Sequence, residues 1–199
     1  MAKSGTAGGK VADPVLSFAV AAEWEAWLHA NHAGGEGVWL RIAKKNAPSP
    51  SVSYAEALDA ALCYGWIDAQ KKSGDAHYWL QRFTPRRARS IWSKINREKA
   101  ENLIRSGRMQ AAGLGEIERA KGDGRWAAAY DSPATAEVPV DLKAAFDKHR
   151  RAADFFASLN KTNRYAILWR IQTAKRPETR ARRIAQFVEM LARGEKLHP

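Results

Sequence analysis

Cysteine is the scarcest informative residue in the chain: Cys63 stands alone among 199 positions. One thiol excludes an intramolecular disulfide framework and any zinc site built on several cysteines. A chain without disulfides fits a reducing compartment. Long apolar runs are missing as well, since no stretch approaches the roughly 18–20 apolar residues that span a bilayer. The chain is therefore expected not to be transmembrane. The opening MAKSGTAGGKVADP lacks an apolar core and does not read as a secretory leader, so the expected location is cytoplasmic. Nucleotide signatures are absent too. No GxGxxG or GK[ST] occurs, and AGGEG (33–37) lies between a helix and a strand. A phosphate loop needs the reverse order, strand then helix, so that helix amides face the anion. The five histidines (29, 32, 77, 149 and 198) make no metal-ligand spacing, and neither a cofactor nor a metal is expected.

Acid is in short supply relative to base. Lys and Arg number 33 against 21 Asp and Glu, a formal net charge of +12. The imbalance is concentrated: residues 71–108 carry net +8 and residues 164–183 carry net +6, leaving the remainder slightly acidic. Such segregation suits a face that docks an anion, whether nucleic acid, an anionic lipid surface or an acidic small molecule. Eight tryptophans are many for this length, and most must lie in a core or a pocket.

Periodicity divides the chain. Residues 1–12 are small and polar and are expected to be disordered. VLSFA (15–19) and VWLRIAKK (38–45) read as strands, and Trp24, Trp27 and Leu28 give a helix over 23–31 one apolar face. Ser53 and Glu56 form a capping box before a helix that stops at Gly65. WIDAQKK (66–72) and HYWLQRF (77–83) flank the turn signal SGD and predict a hairpin. Ser93 caps the next helix, and a short one covers 113–122. DSPATAEVPV (131–140) has linker composition. Beyond it the pattern is helical. Asp141 is expected to cap a helix with Leu142, Phe146, His149, Ala153 and Phe156 on one face, His149 being a hydrogen-bonded core residue. Helices opening at Asn160 or Thr162 and ending at Gly194 complete a three-helix unit. The predicted class is α+β: a small mainly antiparallel sheet with packed helices over 13–130, then the C-terminal helical unit over 141–199.

Two segments carry the candidate chemistry. In ALCYGWIDAQKK (61–72), Cys63 with His77 and Asp68 or Asp75 could be imagined as a nucleophile, base and orienter. The spacing has no such constraint, and a lone cysteine beside Leu62 reads as a small core hydrophobe. In the following segment, Trp79, Phe83 and Trp92 are interleaved with Arg82, Arg86, Arg87 and Arg89. Aromatic platforms with guanidinium groups can stack bases and hold phosphates. The same alternation also suits a strand whose aromatics face the core and whose arginines face water. A pocket reading walls a ligand with Trp66 and Trp79, takes Asp68 as acid or base, and clamps a carboxylate or phosphate with Arg82, Arg86 or Arg87.

The words EWEAWLHANH, GVWLRIAKK, ALCYGWIDAQ, RFTPRRARSIWSKINREKAENLIRSGRM, GLGEIERAKGDGRW and AKRPETRARRI together resemble the YdeI/OmpD-associated family, also called bacteriocin-protection proteins. The resemblance runs from about residue 16 to 196. It implies a bacterial stress or antimicrobial-peptide tolerance factor, with a name that links it to an outer-membrane porin and hence to a protein partner. It brings no catalytic residue, cofactor or reaction. The reading therefore leans toward non-enzymatic binding through a basic face. Its alternatives are a small-molecule-binding protein or enzyme with an anionic-ligand pocket near Asp68 and FTPRR, and nucleic-acid binding.

Overall fold

The computed structural model describes residues 13–199, so the expectation for residues 1–12 lies outside the described residues. Among these there are four strands and eight helices, an α+β chain as predicted. Contacts divide it into two compact units, Met1–Ser90 with Lys99–Ala120, and Ile91–Glu98 with Lys121–Pro199. No helix among the described residues is long and apolar enough to cross a membrane.

The first unit is built on a four-stranded sheet in the order β1-β2-β4-β3, with β1 Val15–Leu16, β2 Val38–Ala43, β3 Trp66–Ser73 and β4 Tyr78–Pro85. β1 runs parallel to β2, and the other pairs are antiparallel. The strand expected over 15–19 is only two residues long. Beyond it Phe18 gives its carbonyl to Val52 N–H at 2.9 Å, and Ala19 N–H donates to Glu23 Oε2 at 2.8 Å, which turns the chain into α1 (Ala21–Asn31).

Register decides which side chains meet. Val38 lies opposite Phe83, Ile42 opposite Trp79, and Asp68 opposite Phe83, so these share one face of the sheet. Trp39, Arg41 and Arg82 project to the other face. The first face is covered by α1 and by α2 (Tyr54–Cys63). Trp24 of α1 is fully buried, with its ring 5.7 Å from Phe83 and 6.4 Å from Trp66, and its indole N–H donates to Ala57 O of α2 at 3.0 Å. The expected capping box is present at the start of α2: Ser53 Oγ accepts from Glu56 N–H, and Glu56 Oε2 accepts from Ser53 N–H. Gly65 ends the helix with φ +74°, a conformation that costs glycine little, and the chain leaves directly as β3.

Two helices follow the hairpin, α3 (Lys94–Arg105) and α4 (Ala111–Gly122). Ser93 caps α3 as expected, its hydroxyl accepting from Asn96 N–H at 3.1 Å. α4 comes unusually close to the C-terminus of α2, because a Cβ at Gly113 would lie 2.4 Å from Cys63 O and 2.7 Å from Leu62 O.

In the second unit, α5 (Val140–Lys148), α6 (Arg150–Ser158), α7 (Lys161–Gln172) and α8 (Pro177–Ala192) enclose a core of Leu142, Phe156, Ile167, Ile171, Val188 and Leu191, among others. The helix expected to run on from Asp141 is two helices, broken at His149, whose φ −136° and ψ 68° are not helical. His149 is exposed, contrary to its expected core position. Its carbonyl instead receives Ala152 N–H and Ala153 N–H, opening α6. The break shifts the helical phase, so Ala152 is fully buried where Ala153 was expected, while Phe156 reaches the core as predicted. Asp141 is likewise not the cap: α5 starts at Val140, and Asp141 holds Arg180 of α8 at 2.6 Å. Of the two expected openings, Asn160 or Thr162, it is Asn160 that caps α7. Buried Asn163 clips the chain end, accepting from His198 N–H at 2.9 Å and donating to His198 O at 3.2 Å.

The α2–α4 approach gives a paired prediction. Alanine at a helical glycine normally stabilises by up to ~1 kcal/mol, and Gly115, with nothing within 4 Å of an added Cβ, should show that gain. At Gly113 the two carbonyls make the same change an overpacking, costing about 1–3 kcal/mol. Denaturant unfolding of G113A and G115A should therefore give midpoints shifted in opposite directions.

Candidate functional site

The predicted site residues fall in different places along β3, β4 and the segment after them. Arg82, Arg86 and Arg87 come together. They line a recess of about 250 Å³ with Gly35, Glu36 and Thr84. Arg82 projects from the sheet face opposite Asp68, and Arg86 is positioned because its N–H donates to Gly65 O at 2.9 Å. Arg86 is buried and Arg87 exposed. The loop across from them owes its approach to Gly37 at φ +138°, where a Cβ would lie 2.8 Å from Phe83 O and 3.1 Å from an Arg82 guanidinium nitrogen. Arg82 already holds a carboxylate: its Nε donates to Asp13, and its Nη2 donates to Glu36 O at 3.2 Å. The guanidinium fork is suited to bidentate contact with carboxylate or phosphate, which is the chemistry this recess can perform.

The far end of the hairpin is basic and aromatic in a different way. Lys71 Nζ lies 4.3 Å from the centre of the Trp79 ring, and Lys72 Nζ lies 4.1 Å from that of Trp39. Successive lysines reach opposite sheet faces because the side chains of a strand alternate. Arg41 covers Tyr78 at 3.8 Å. An open recess of about 600 Å³ is lined by Lys44, Lys71, Lys72, Ser73 and Trp79. Asp75 anchors the turn. It accepts from His77 N–H and Tyr78 N–H, each at 2.8 Å, and from Arg41 at 2.7 Å. The Arg41 hydrogen bond, reinforced by the two backbone amides, lowers its carboxyl from an ordinary 3.8 to about 2.

The remaining candidates are dispersed. Trp66 is a core residue, 1% exposed, with its indole N–H donating to His32 O at 3.0 Å. Asp68 does not meet the arginines; it accepts from Tyr54 O–H at 2.8 Å. Burial and that carboxylate push the Tyr54 hydroxyl well above its usual range. Arg89 is exposed, and Trp92 packs at 4.8 Å against Trp126 in the second unit. Cys63 is buried at the end of α2, and burial raises its thiol to about 11, which opposes thiolate chemistry near neutral pH. His77 is exposed at the hairpin turn, and no triad assembles among these groups. Sequence reasoning passed over Asp13, Gly35, Glu36 and Lys44. Lys44 carried a signal as the polar end of the VWLRIAKK strand, and Gly35 and Glu36 lay in the AGGEG run; Asp13 is brought in by chain geometry.

A family described as a domain of unknown function (DUF8412) matches residues 16–116, half of the chain. Residues 135–194 match the family described as bacteriocin-protection, YdeI or OmpD-associated. The chain belongs to the first of these families, and its residues 135–194 are similar to the second. The YdeI/OmpD-associated match falls wholly on the helical second unit, whereas both basic recesses lie in the first. No curated protein and no solved structure gives a match.

The hairpin anchor has a pH signature. Because the Asp75 pKa is depressed in the folded chain, its contribution is fully present above about pH 4, the ordinary carboxylate value, and is lost as pH falls through about 2. Protection of the His77 and Tyr78 amides against exchange, relative to their intrinsic rates, should fall over that interval. Asp75→Asn should flatten this acid-side dependence while leaving the chain folded at pH 7.

Proposed function

We propose that the protein acts by binding, and that its first unit takes a small anionic group in the recess of Arg82, Arg86 and Arg87. The observation that carries this reading is the convergence of three guanidinium-bearing residues on one recess of about 250 Å³. Asp13 already satisfies Arg82 with a carboxylate, so an incoming carboxylate or phosphate competes for that guanidinium while gaining the exposed Arg87. Hydrogen bonds to a charged partner are each worth ~1.5–3 kcal/mol when the alternative is loss of the partner.

The reading also bears on how such a protein serves bacteriocin protection, the activity in the family's description. A chain of net charge +12 repels cationic peptides, so sequestering them is electrostatically unfavourable. Binding the anionic groups that such peptides would otherwise engage is favourable, and this makes the chain a tolerance factor that works by occupancy.

Isothermal titration with inorganic phosphate and with citrate at low ionic strength tests the site. Millimolar or tighter binding is expected, weakened about tenfold or more by Arg87→Ala, the loss of one charge-assisted contact. Arg87 is exposed, so this variant should melt like the parent. Absence of heat with either anion, or equal affinity in Arg87→Ala, would remove the recess as the site.

A further inference from the structure

At the opposite end of β4 from the arginines, the hairpin combines features that an anion clamp does not need. Trp79 is half-buried, and Lys71 rests on its ring face at 4.3 Å. Tyr54, one of the few large apolar side chains left exposed, stands 6.0 Å from Trp79 at 45°. Lys44, Lys71 and Lys72 border the same recess of about 600 Å³, and no acidic residue lines it. The only acid at the turn, Asp75, is committed to Arg41 and two backbone amides. Lys44 donates to the Asp75 carbonyl at 2.7 Å, which holds its ammonium at the rim.

We propose that this hairpin is a platform for single-stranded nucleic acid, with Lys71 covering Trp79 in the unbound protein and moving to a phosphate when a base stacks on the indole. A cation over an indole face occupies the position a planar base would take, and the two are exchangeable because both are held by the ring's π face. Displaced lysines do not lose their electrostatic partner, since every stacked base arrives with a phosphate. The neighbouring Tyr54 ring extends the aromatic surface beyond one base. Bases of a single strand are splayed and reach such a platform, whereas those of a duplex are stacked inside it.

The surroundings favour this partner over a lipid surface. A bilayer is held by apolar side chains that enter it, together with basic ones. Beside this recess the exposed strand residues are Ala69, Gln70, Lys71, Lys72 and Ser73, and the other large exposed apolar residues of the unit, such as Val15, Val20 and Leu114, do not line it.

Fluorescence polarisation of a labelled 12-nucleotide single strand, over a series of salt concentrations, tests the proposal. Three lysines meeting phosphates, with Lys72 swinging from Trp39 round the edge strand β3, give a slope of log K against log salt of about −2, and Lys71→Ala with Lys72→Ala should reduce it to about −0.7. Trp79→Ala should weaken binding about tenfold, with Trp79→Phe restoring most of it. An abasic strand of equal charge should bind about as weakly as the Trp79→Ala variant binds the normal strand. Should Trp79→Ala fail to fold, the exposed lysine pair and the abasic strand decide the matter alone. Absence of binding at low salt overturns the platform. So does equal affinity for normal and abasic strands, a slope unchanged by the lysine pair, or binding to vesicles of anionic lipid without binding to the strand.

Discussion

The first unit depends on one buried indole. Trp24 meets Phe18, Trp27, Trp66 and Phe83 within 6.4 Å, and its single polar atom is spent on Ala57 O. That one side chain therefore fixes α1 against α2 through a hydrogen bond, and both against β3 and β4 through ring contacts. A tryptophan in such a position must satisfy its N–H or lose the benefit of its burial. Trp66 repeats the solution, donating to His32 O at the end of α1. Once both indoles are anchored, β3 starts where it must, and the hairpin is held at its base by the core and released toward solvent at its tip.

That arrangement explains why charge gathers where it does. One face of the sheet is covered by α1 and α2, so the hairpin's cations cannot go there except beyond the reach of the helices. Lys71 and Lys72 lie past the irregularity between Asp68 and Lys71, where β3 is already solvent-exposed. They cover aromatic faces that would otherwise be wet and apolar. The exposed lysines also guard β3, an edge strand, against pairing with another chain. At the other end of β4 the arginines have no such cover to provide. They line a recess closed by a loop that glycine lets approach.

Much of this was legible in the residues. Capping chemistry located α2 through Ser53 and Glu56, α3 through Ser93 and α7 through Asn160, because these are local hydrogen bonds encoded within four positions. The hairpin was legible because SGD separates two alternating runs. What failed was non-local or phase-dependent. His149 lay on a continued apolar stripe only if the helix continued, and periodicity has no term for a break made by one residue's backbone. The pairing of Asp68 with the arginines failed for a register reason: Asp68 sits opposite Phe83, and residues adjacent to Phe83 on β4 point to the other face. One residue of register separated a clamp from a tyrosine hydrogen bond. The recess at Glu36 and Gly35 depends on loop approach, and the single strong hint was the run of glycines itself.

Since adjacent positions on β4 face opposite ways, a strand so short can present chemistry on two faces and at two ends without any residue serving twice. Trp79 and Arg86 are seven positions apart, roughly 23 Å along an extended strand, and their neighbours differ in kind, lysine over indole against guanidinium beside glycine. In the two proposed uses, the arginine fork suits a compact, bidentate anion, and a lysine over an indole is the mobile cation that can leave its ring for a phosphate. Exchanging the two residue types would spoil both: a guanidinium at position 71 would stack on Trp79 more firmly and resist displacement, and an ammonium at position 87 would lose the fork. The strand thus keeps guanidinium and ammonium groups at separate ends, and the fixed indole core holds that spacing.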